Sequence, residues 1–107
     1  MAKFACIYKT NENDENFDET SAMDLIKKHI EYLRNMKHKG VLFLCGILSG
    51  KTGLKENQGA LIILETKSYE EAEAHILQDP LVINKWYSYT IKEFIEGNEA
   101  NNYLLDG

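Results

Sequence analysis

Hydrophobic residues alternate or run continuously over four short stretches of the chain, and they recur at helical spacing over two longer ones. The short stretches are rich in β-branched and aromatic residues and predict β-strands at residues 4–8, 41–48, 59–65 and 86–94. The longer stretches predict one helix between residues 21 and 40 and another from residue 68 to residue 77. The predicted element order is therefore β-α-β-β-α-β.

Capping residues support the ends of both helices. Ser21, followed by Asp24 three positions later, resembles a capping arrangement for the first helix, and Gly40 ends that helix. Ser68 and Glu71 have the spacing of a capping box at the start of the second helix. Each helix is thus predicted to begin at a side-chain cap.

The element order predicts an α+β fold of the ferredoxin-like type, with a four-stranded antiparallel sheet and both helices on one face. Such a sheet normally has one apolar and one polar face. Here both alternating sets of the third strand are apolar, with Leu61 and Ile63 on one side and Ile62 and Leu64 on the other. Since two helices cover only one face, we predict a homodimer in which a second copy buries the open sheet face.

Composition limits the classes of protein to consider. The 107 residues, 44% of them hydrophobic, suffice for one domain, which we assign to residues 1–96, followed by a polar tail at residues 97–107. No apolar run approaches the roughly 20 residues of a membrane span, and the start of the chain lacks a signal-peptide pattern, so we expect a cytoplasmic protein. The net charge of −5 and the single arginine argue against nucleic acid as a partner.

Three features that could suggest a disulfide, a metal site or a phosphate site have simpler interpretations. Cys6 and Cys45 lie in apolar strands without paired spacing and are expected to be buried. The acidic segment at residues 11–19 lacks the oxygen spacing and turn glycine of a calcium loop. Residues 46–52 resemble a P-loop, but three rather than four residues separate the glycines, and a turn between strands follows. We predict no metal and no cofactor.

The only proline of the chain gives Asp79 a structural explanation. Pro80 cannot continue a helix and disfavours helical geometry at the preceding residue, so we expect the second helix to end near Asp79. An aspartate followed by proline is also a common start for a short helical turn, with Asp79 as N-cap and Pro80 in the first position. A capping role therefore needs no chemistry at this position.

The predicted topology also brings His29 towards Asp79. If the first strand runs upwards, Tyr8 lies at the top of the sheet, the second strand ends there after Gly46, and the second helix ends there as well. His29 lies about two turns into the first helix, among apolar residues that direct it inwards. A nearby carboxylate would orient the imidazole for proton transfer near neutral pH. The alternative is an interior histidine hydrogen-bonded to backbone.

The chain resembles the YciI-like (YCII-related) family over residues 4–94. The matching features are the first strand, His29 with the aliphatic residue and leucine that follow it, Gly40 and Gly46, the acidic helix start at residues 70–72, and the dipeptide Asp79-Pro80. The resemblance implies a fold like the dimeric α+β barrel of muconolactone-isomerase-like proteins. It also implies an active-site pair of His29 and Asp79. Activities in the family include dehydrochlorination of a hydroxylated aromatic.

Three positions depart from the family pattern. The family often has Gly-Pro where this chain has Gly46-Ile47, an arginine where Ile26 stands, and a glycine where Lys85 stands. These positions lie close in sequence to the elements expected to form the pocket. The resemblance therefore leaves room for a different pocket and a different substrate.

Two functions from different classes fit these observations. The first is a small cofactor-free enzyme, a lyase, isomerase or dehydrochlorinase, in which His29 is the general acid or base and Asp79 orients it. Tyr8, Gly46 and Pro80 would then contact a small cyclic or aromatic substrate. The second is a non-catalytic ligand-binding or assembly module, in which the same pair only fixes a loop.

Overall fold

A computed structural model describes residues 1–11, 19–50 and 57–105. Across these residues the chain forms four strands and three helices in the order β1 (Ala2–Thr10), α1 (Glu19–His38), β2 (Leu42–Ser49), β3 (Asn57–Thr66), α2 (Tyr69–Ile76), α3 (Pro80–Ile83) and β4 (Tyr87–Phe94). Two 3-10 turns follow at Glu99–Leu104, within the predicted tail. The β-α-β-β-α-β order is confirmed, with the short helix α3 added between α2 and β4.

The strands form one antiparallel sheet in the order β2-β3-β1-β4. β1 lies in the interior of the sheet, and its residue Tyr8 is paired with Ala60 of β3 on one side and with Tyr89 of β4 on the other. β2 is an edge strand with an irregularity in register between Leu42 and Leu44. This arrangement is the predicted ferredoxin-like α+β sheet.

The core lies between one face of this sheet and the helices. Residues of all four strands point towards the helices and are buried together with apolar residues of α1 and α2; the buried set is Phe4, Cys6, Tyr8, Met36, Leu42, Ala60, Ile62, Leu64, Ala72, Ile76 and Ile91. α2 packs over β1, β3 and β4, while α1 packs against α3 and β2. All of the helices in the described chain therefore lie on the same side of the sheet.

The other sheet face, which we call the open face, is apolar, and it is exposed around Ile63 of β3, which is itself buried at 4% exposure. It carries Ile7 of β1 and Leu44 and Leu48 of β2, whose exposed fractions are 38%, 44% and 39%. At its border the Lys3 ammonium lies 4.6 Å from the centre of the Phe43 ring. The second apolar face expected from the sequence is therefore present on the surface of the chain.

The start of α1 differs from the predicted one, whereas α2 begins at its predicted cap. α1 begins at Glu19, so Ser21, predicted as its cap, lies inside the helix. Ser68 does cap α2, because its side chain accepts a hydrogen bond from the Glu71 N–H at 3.1 Å. The Glu71 carboxylate, however, accepts from the Lys67 N–H at 3.2 Å instead of from the N–H of the cap residue. The predicted capping box is thus half formed.

The remaining predictions have mixed outcomes. Gly40 ends α1 with a φ of 76°, as predicted. Cys6 is buried but Cys45 is exposed, which contradicts the prediction for Cys45 and follows from its place on an edge strand beside a cavity. The predictions for residues 11–19 and for the turn after Ser49 fall largely outside the described residues. Within the described ranges, no group of three or more His, Cys, Asp or Glu side chains could hold a metal ion, and no helix could span a membrane.

Candidate active site

Asp79 lies in the short connection between α2 and α3. Leu77 is the C-cap of α2, and Asp79 itself has the extended backbone (φ −68°, ψ 126°) that a following proline favours. Its side chain accepts a hydrogen bond from the Leu81 N–H at 3.0 Å, so Asp79 is the N-cap of α3, with Pro80 in the first turn. The predicted capping role is confirmed.

The Asp79 carboxylate is fully buried and contacts three polar groups. In addition to the Leu81 N–H on Oδ1, the Tyr8 hydroxyl donates to Oδ2 over 2.7 Å. His29 Nδ1 lies 2.9 Å from Oδ1 and 2.8 Å from Oδ2. A buried carboxylate is tolerated when its oxygens are hydrogen-bonded, and both oxygens of Asp79 meet this condition within the protein.

The tautomer of His29 follows from this geometry. An ionised carboxylate can only accept hydrogen bonds, so Nδ1 carries the hydrogen that points at Asp79. Nε2 is then the ring nitrogen that can exchange a proton with another molecule, and it has no hydrogen-bond partner among the described residues. The side chain is only 12% exposed. The imidazole is therefore held in one orientation with one nitrogen available.

His29 also lines a cavity of about 330 Å³ between α1 and the sheet, whereas Asp79 does not. The wall is mostly apolar and consists of Ile26, His29, Ile30, Leu33, Cys45, Gly46, Ile47, Ala60, Ile62, Leu81 and Tyr87. Small-molecule sites in proteins range from roughly 300 to 1,000 Å³. This cavity is at the small end of that range and suits a molecule of about one ring.

Tyr8 connects the pair to the centre of the sheet. It is 1% exposed, and its ring stacks on Tyr87 with 5.2 Å between ring centres and 29° between planes. Burial, followed by the negative charge of Asp79, raises the pKa of Tyr8 far above its ordinary value. The phenol therefore keeps its proton at physiological pH and donates a hydrogen bond to the Asp79 carboxylate.

A second tyrosine fixes α1 against α2. The Tyr32 hydroxyl donates to the carbonyl oxygen of His75 in α2 over 2.7 Å. Burial, and secondarily the charge of Asp79, raises the pKa of Tyr32, so this donor also stays protonated. Because Tyr32 lies one turn after His29 on the same helix, the bond helps to hold His29 at a fixed height over the sheet.

The predicted pair is in direct contact, but the residues expected to contact substrate are placed differently. Gly46 lines the cavity. Tyr8 is not part of the cavity wall and instead binds Asp79. Pro80 begins α3, and the next residue, Leu81, faces the cavity in its place. Tyr8, predicted in the cavity wall, thus supports the Asp79 carboxylate instead.

Several wall residues were missed by sequence reasoning. Ala60 and Ile62 belong to the same sheet face as Tyr8 and Cys6, their partners in the register, so the two-residue period of β3 could have identified them. Leu81 contributes its backbone N–H to Asp79, which no side-chain pattern reveals. The composition of the cavity wall depends on which strands pair, and the sequence of a single strand does not determine its partner.

Two isoleucines of α1 also have a different environment from the expected one. Ile26 and Ile30 belong to the apolar face of the helix, yet they are 38% and 42% exposed. They line the cavity instead of packing in the core. The apolar face of α1 therefore serves partly as cavity wall.

The fold and the buried pair define a small α+β protein of the ferredoxin-like type with a His-Asp site beside an apolar cavity. The family model of the YCII-related domain matches residues 2–95, and the chain belongs to the YCII-related family. No curated protein is significantly similar to it in sequence.

Solved structures support the fold. One similar structure is the 5-chloro-2-hydroxyhydroquinone dehydrochlorinase of Burkholderia phenoliruptrix AC1100 in complex with 2,5-dihydroxybenzoquinone, with a TM-score of 0.72, 20% identity, and 89% of this chain and 95% of that chain covered. Another is muconolactone isomerase, with a TM-score of 0.70, 12% identity, and 91% and 92% covered. At these identities the likeness establishes a shared fold.

Proposed function

We propose that this protein is a small cofactor-free enzyme in which His29 and Asp79 carry out acid–base chemistry on a small cyclic or aromatic substrate. The observation that carries the proposal is the orientation of one imidazole. Its Nδ1 is bound to a fully buried carboxylate, while the same ring lines an apolar cavity of about 330 Å³. Such a pair beside a small pocket is the usual arrangement of a histidine that transfers protons.

In the proposed reaction, His29 Nε2 takes a proton from the substrate. The Asp79 carboxylate stabilises the resulting imidazolium, and Tyr8 and the Leu81 N–H keep that carboxylate in place. The electron pair left on the substrate either expels a leaving group such as chloride or is protonated at another atom by the imidazolium. The first outcome is an elimination, after which the proton passes to water, and the second is an isomerisation.

The names of two similar structures agree with these reaction types. One is a dehydrochlorinase in complex with a dihydroxybenzoquinone and the other an isomerase. Both outcomes begin with removal of one proton by one base. We therefore place this protein among the lyases, dehydrochlorinases and isomerases that act on small rings.

A second candidate, a ligand-binding or assembly module without catalysis, is favoured by one observation. Asp79 is the N-cap of α3, so an aspartate at this position has a purely structural explanation. In that case His29 would serve only to fix the connection between α2 and α3. The Asp79→Asn variant separates the two, because asparagine also caps helices but has no charge to stabilise an imidazolium.

The test uses turnover and folding measured side by side. Purified protein is incubated with a chlorinated trihydroxybenzene, followed by chloride release, and with a small unsaturated lactone in D₂O, followed by deuterium uptake. We expect turnover in one assay and its loss by at least about 100-fold in His29→Gln and Asp79→Asn. Glu31→Gln, on the exposed side of α1, is the matched control. If Asp79→Asn keeps both its fold and full turnover, the acid–base role of Asp79 is wrong.

We also propose a homodimer formed through the open face. Ile7, Leu44 and Leu48 leave an apolar sheet surface that helices of the same chain do not cover in the described residues. A second copy of the sheet would bury it with strands facing strands. The small-molecule site lies on the opposite, helix-covered side, so dimer formation leaves its cavity in place.

A cytoplasmic location fits the cysteines. Both Cys6 and Cys45 are free thiols, and Cys45 is exposed. An exposed free thiol persists in a reducing compartment. We therefore propose that the protein works in the cytoplasm, without nucleic acid or membrane as partner.

A further inference from the structure

The two edge strands of the sheet are protected to different degrees. β4, at one edge, carries Lys92 and Glu93 at exposed positions, and charges of this kind discourage pairing with another chain. β2, at the other edge, has the sequence LFLCGILS, which contains neither a charged residue nor a proline. Its register with β3 is irregular near both ends, so the regular segment is Leu44–Leu48. β2 is therefore an edge on which another strand can pair.

β2 exposes apolar side chains on both sides of the sheet. Leu44 and Leu48 belong to the open face. Cys45 and Ile47 lie on the helix-covered side, where both line the cavity, and Ile47 is 51% exposed. A dimer formed through the open face would cover the first two residues only. The exposure of Cys45 and Ile47 is therefore not explained by that dimer.

α1 extends the apolar surface next to β2. Ile26 and Ile30 line the same cavity as Cys45 and Ile47 and are 38% and 42% exposed. α1 packs against β2, whereas α2 packs over the other three strands. We call Ile26, Ile30, Cys45 and Ile47 the edge patch. It joins one helix and one strand along the same border of the chain.

Beside the edge patch, α1 carries charges whose order is complementary to a second copy of itself. They line a depression that shares Ile30 with the cavity, and the charged residues are Asp24, Lys27, Lys28, Glu31 and Arg34. If two copies of α1 lie antiparallel about a two-fold axis beside His29, Asp24 of one copy faces Arg34 of the other. Lys27 faces Glu31 in the same way. Both pairs have opposite charges, which favours this arrangement.

The regular segment of β2 gives the same axis independently. Its central residue is Gly46. Two antiparallel copies of the segment centred on Gly46 pair over its whole length, with Cys45 opposite Ile47 and Leu44 opposite Leu48, and no like charges meet. Gly46 and His29 line the same cavity, so the two centres lie at the same level of the chain. One two-fold axis can therefore serve both the strands and the helices.

We propose that a second copy of this chain binds along β2 and α1, so that the two sheets join into one continuous antiparallel sheet. Backbone hydrogen bonds between the paired strands supply affinity, and the two edge patches pack against each other. This contact uses the edge of the sheet and can coexist with a dimer through the open face. Because all four edge-patch residues line the cavity, the second copy also borders the cavity. An extended peptide of another protein would pair with β2 but leave the charges of α1 without partners.

A disulfide between copies tests the register of the strands. Directly opposed residues of antiparallel strands have Cα atoms roughly 4.5 to 5.5 Å apart, which is within the range that disulfides bridge. Ile47→Cys places a thiol opposite Cys45 of the second copy. With copper-phenanthroline and oxygen as the oxidant, this variant should form disulfide-linked dimers, followed by non-reducing electrophoresis and mapped by mass spectrometry. Cys6 does not interfere, because it is fully buried and burial raises its pKa to about 12.

Two proteins with a single exposed thiol in β2 are the matched controls. The wild type has Cys45 alone, and the double variant Ile47→Cys/Cys45→Ala has only the introduced thiol, so neither places two thiols opposite each other. We expect Ile47→Cys to cross-link at least about ten-fold faster than either control. A dimer through the open face cannot produce this difference, because both thiols point to the helix-covered side. Equal rates in the three proteins, including no cross-link in any of them, would overturn the proposal.

An exchange of charges tests the contact between the helices. Arg34→Asp and Asp24→Arg each place like charges opposite each other, so each should slow the cross-linking of Ile47→Cys about five-fold. Carrying both changes should restore the rate to within about two-fold. The two positions are about 15 Å apart along α1, so the restoration cannot come from a contact within one copy. A double exchange as slow as the single changes would reject the pairing of α1 with its copy.

Sedimentation provides the same comparison without an introduced thiol, should Ile47→Cys fail to fold. At about 100 μM protein, the wild type and the double exchange should associate through the edge, and the two single changes should associate less. Equal association of all four proteins would overturn the proposal. Neither experiment depends on turnover, so the inference stands or fails separately from the catalytic proposal.

Discussion

At the scale of single residues, Asp79 combines a structural and a proposed chemical role through its two oxygens. Oδ1 accepts the Leu81 N–H and caps α3, Oδ2 accepts the Tyr8 hydroxyl, and His29 Nδ1 lies within 3 Å of both. The cap fixes the carboxylate before any ligand arrives. A base oriented in this way needs no rearrangement to accept a proton, which is the condition for preorganised catalysis.

Tyr8→Phe tests the support of this carboxylate. The change removes the hydroxyl bond to Asp79 and keeps the ring that stacks on Tyr87. Because a hydrogen bond to a buried charge is lost, we expect the free energy of unfolding to fall by about 1.5 to 3 kcal/mol, measured by urea denaturation.

Tyr89→Phe is the control for that experiment. Its hydroxyl donates to the Glu73 carboxylate at 3.2 Å, at a position that is only partly buried. We expect this variant to lose less than about 1 kcal/mol. Equal losses in the two variants would contradict a special role for the bond between Tyr8 and Asp79.

The free energy of unfolding should also decrease at alkaline pH because of Cys6 and Tyr8. Burial raises the pKa of Cys6 from 9.0 to about 12, and it raises the pKa of Tyr8 above 10.0. Both groups release protons more readily in the unfolded chain, so their stabilising contribution is complete below pH 9 and is lost as the pH rises further. We expect the urea midpoint to be flat below pH 9 and to decrease above it.

Variants of the two cysteines check the assignment of that decrease. In Cys6→Ala the overall stability is lower because a core side chain is shortened, but the decrease should begin about one pH unit later, where tyrosine titrates. Cys45→Ala should keep the wild-type onset. If the urea midpoint of Cys6→Ala begins to decrease at the same pH as that of the wild type, another group causes the loss of stability at alkaline pH.

At the scale of secondary structure elements, Gly59 governs the contact between β1 and β3 beside the site. Its φ of 140° is disfavoured for residues with a side chain, and a Cβ built there would lie 2.0 Å from the Tyr8 carbonyl oxygen. Gly59→Ala would therefore push the two strands apart at the residue that supports Asp79. We expect a loss of about 3 kcal/mol or more in the free energy of unfolding, measured by urea denaturation.

Gly46 on β2 provides the comparison for Gly59. No atom lies within 4 Å of a Cβ built at Gly46. Gly46→Ala should change the stability by less than about 1 kcal/mol. Similar losses at the two glycines would contradict the steric explanation.

The sequence predicts elements well where a local cause acts and poorly where contacts between elements decide. Ser68 and Pro80 determine the start of α2 and of α3 by their own chemistry, and both were identified in the sequence. Ser21, the expected cap of α1, lies instead inside the helix, because a capping signal contributes only about 1 kcal/mol and neighbouring contacts can outweigh it.

The candidate site shows the same division. The contact between His29 and Asp79 could be predicted because the order of elements places both at one end of the sheet. The role of Tyr8 could not be predicted, since a buried phenol can either face a cavity or donate a hydrogen bond to a carboxylate. Only the packing of α3 against the sheet determines which of these two contacts forms. Cys45 was misplaced for the same reason, as its exposure depends on β2 being an edge strand.

At the scale of the whole molecule, the sheet separates two surfaces with different roles. The helix-covered side contains the core, the His-Asp pair and the cavity, and the open face presents Ile7, Leu44 and Leu48 to solvent. Because adjacent residues of a strand point to opposite faces, a change on the open face leaves the cavity side chains in place. The two proposals, catalysis and dimerisation, can therefore be tested independently.

The proposed homodimer predicts that a charge on the open face will separate the protomers. Leu44→Asp would place a carboxylate in an apolar interface without a partner, so we expect the dimer dissociation constant, measured by sedimentation, to rise at least about 100-fold. Met23→Asp, at an exposed apolar position on α1 away from the sheet, should keep the wild-type value. A wild-type protein that is a stable monomer at micromolar concentration would refute the dimer, and an unchanged constant in Leu44→Asp would move the interface off the open face.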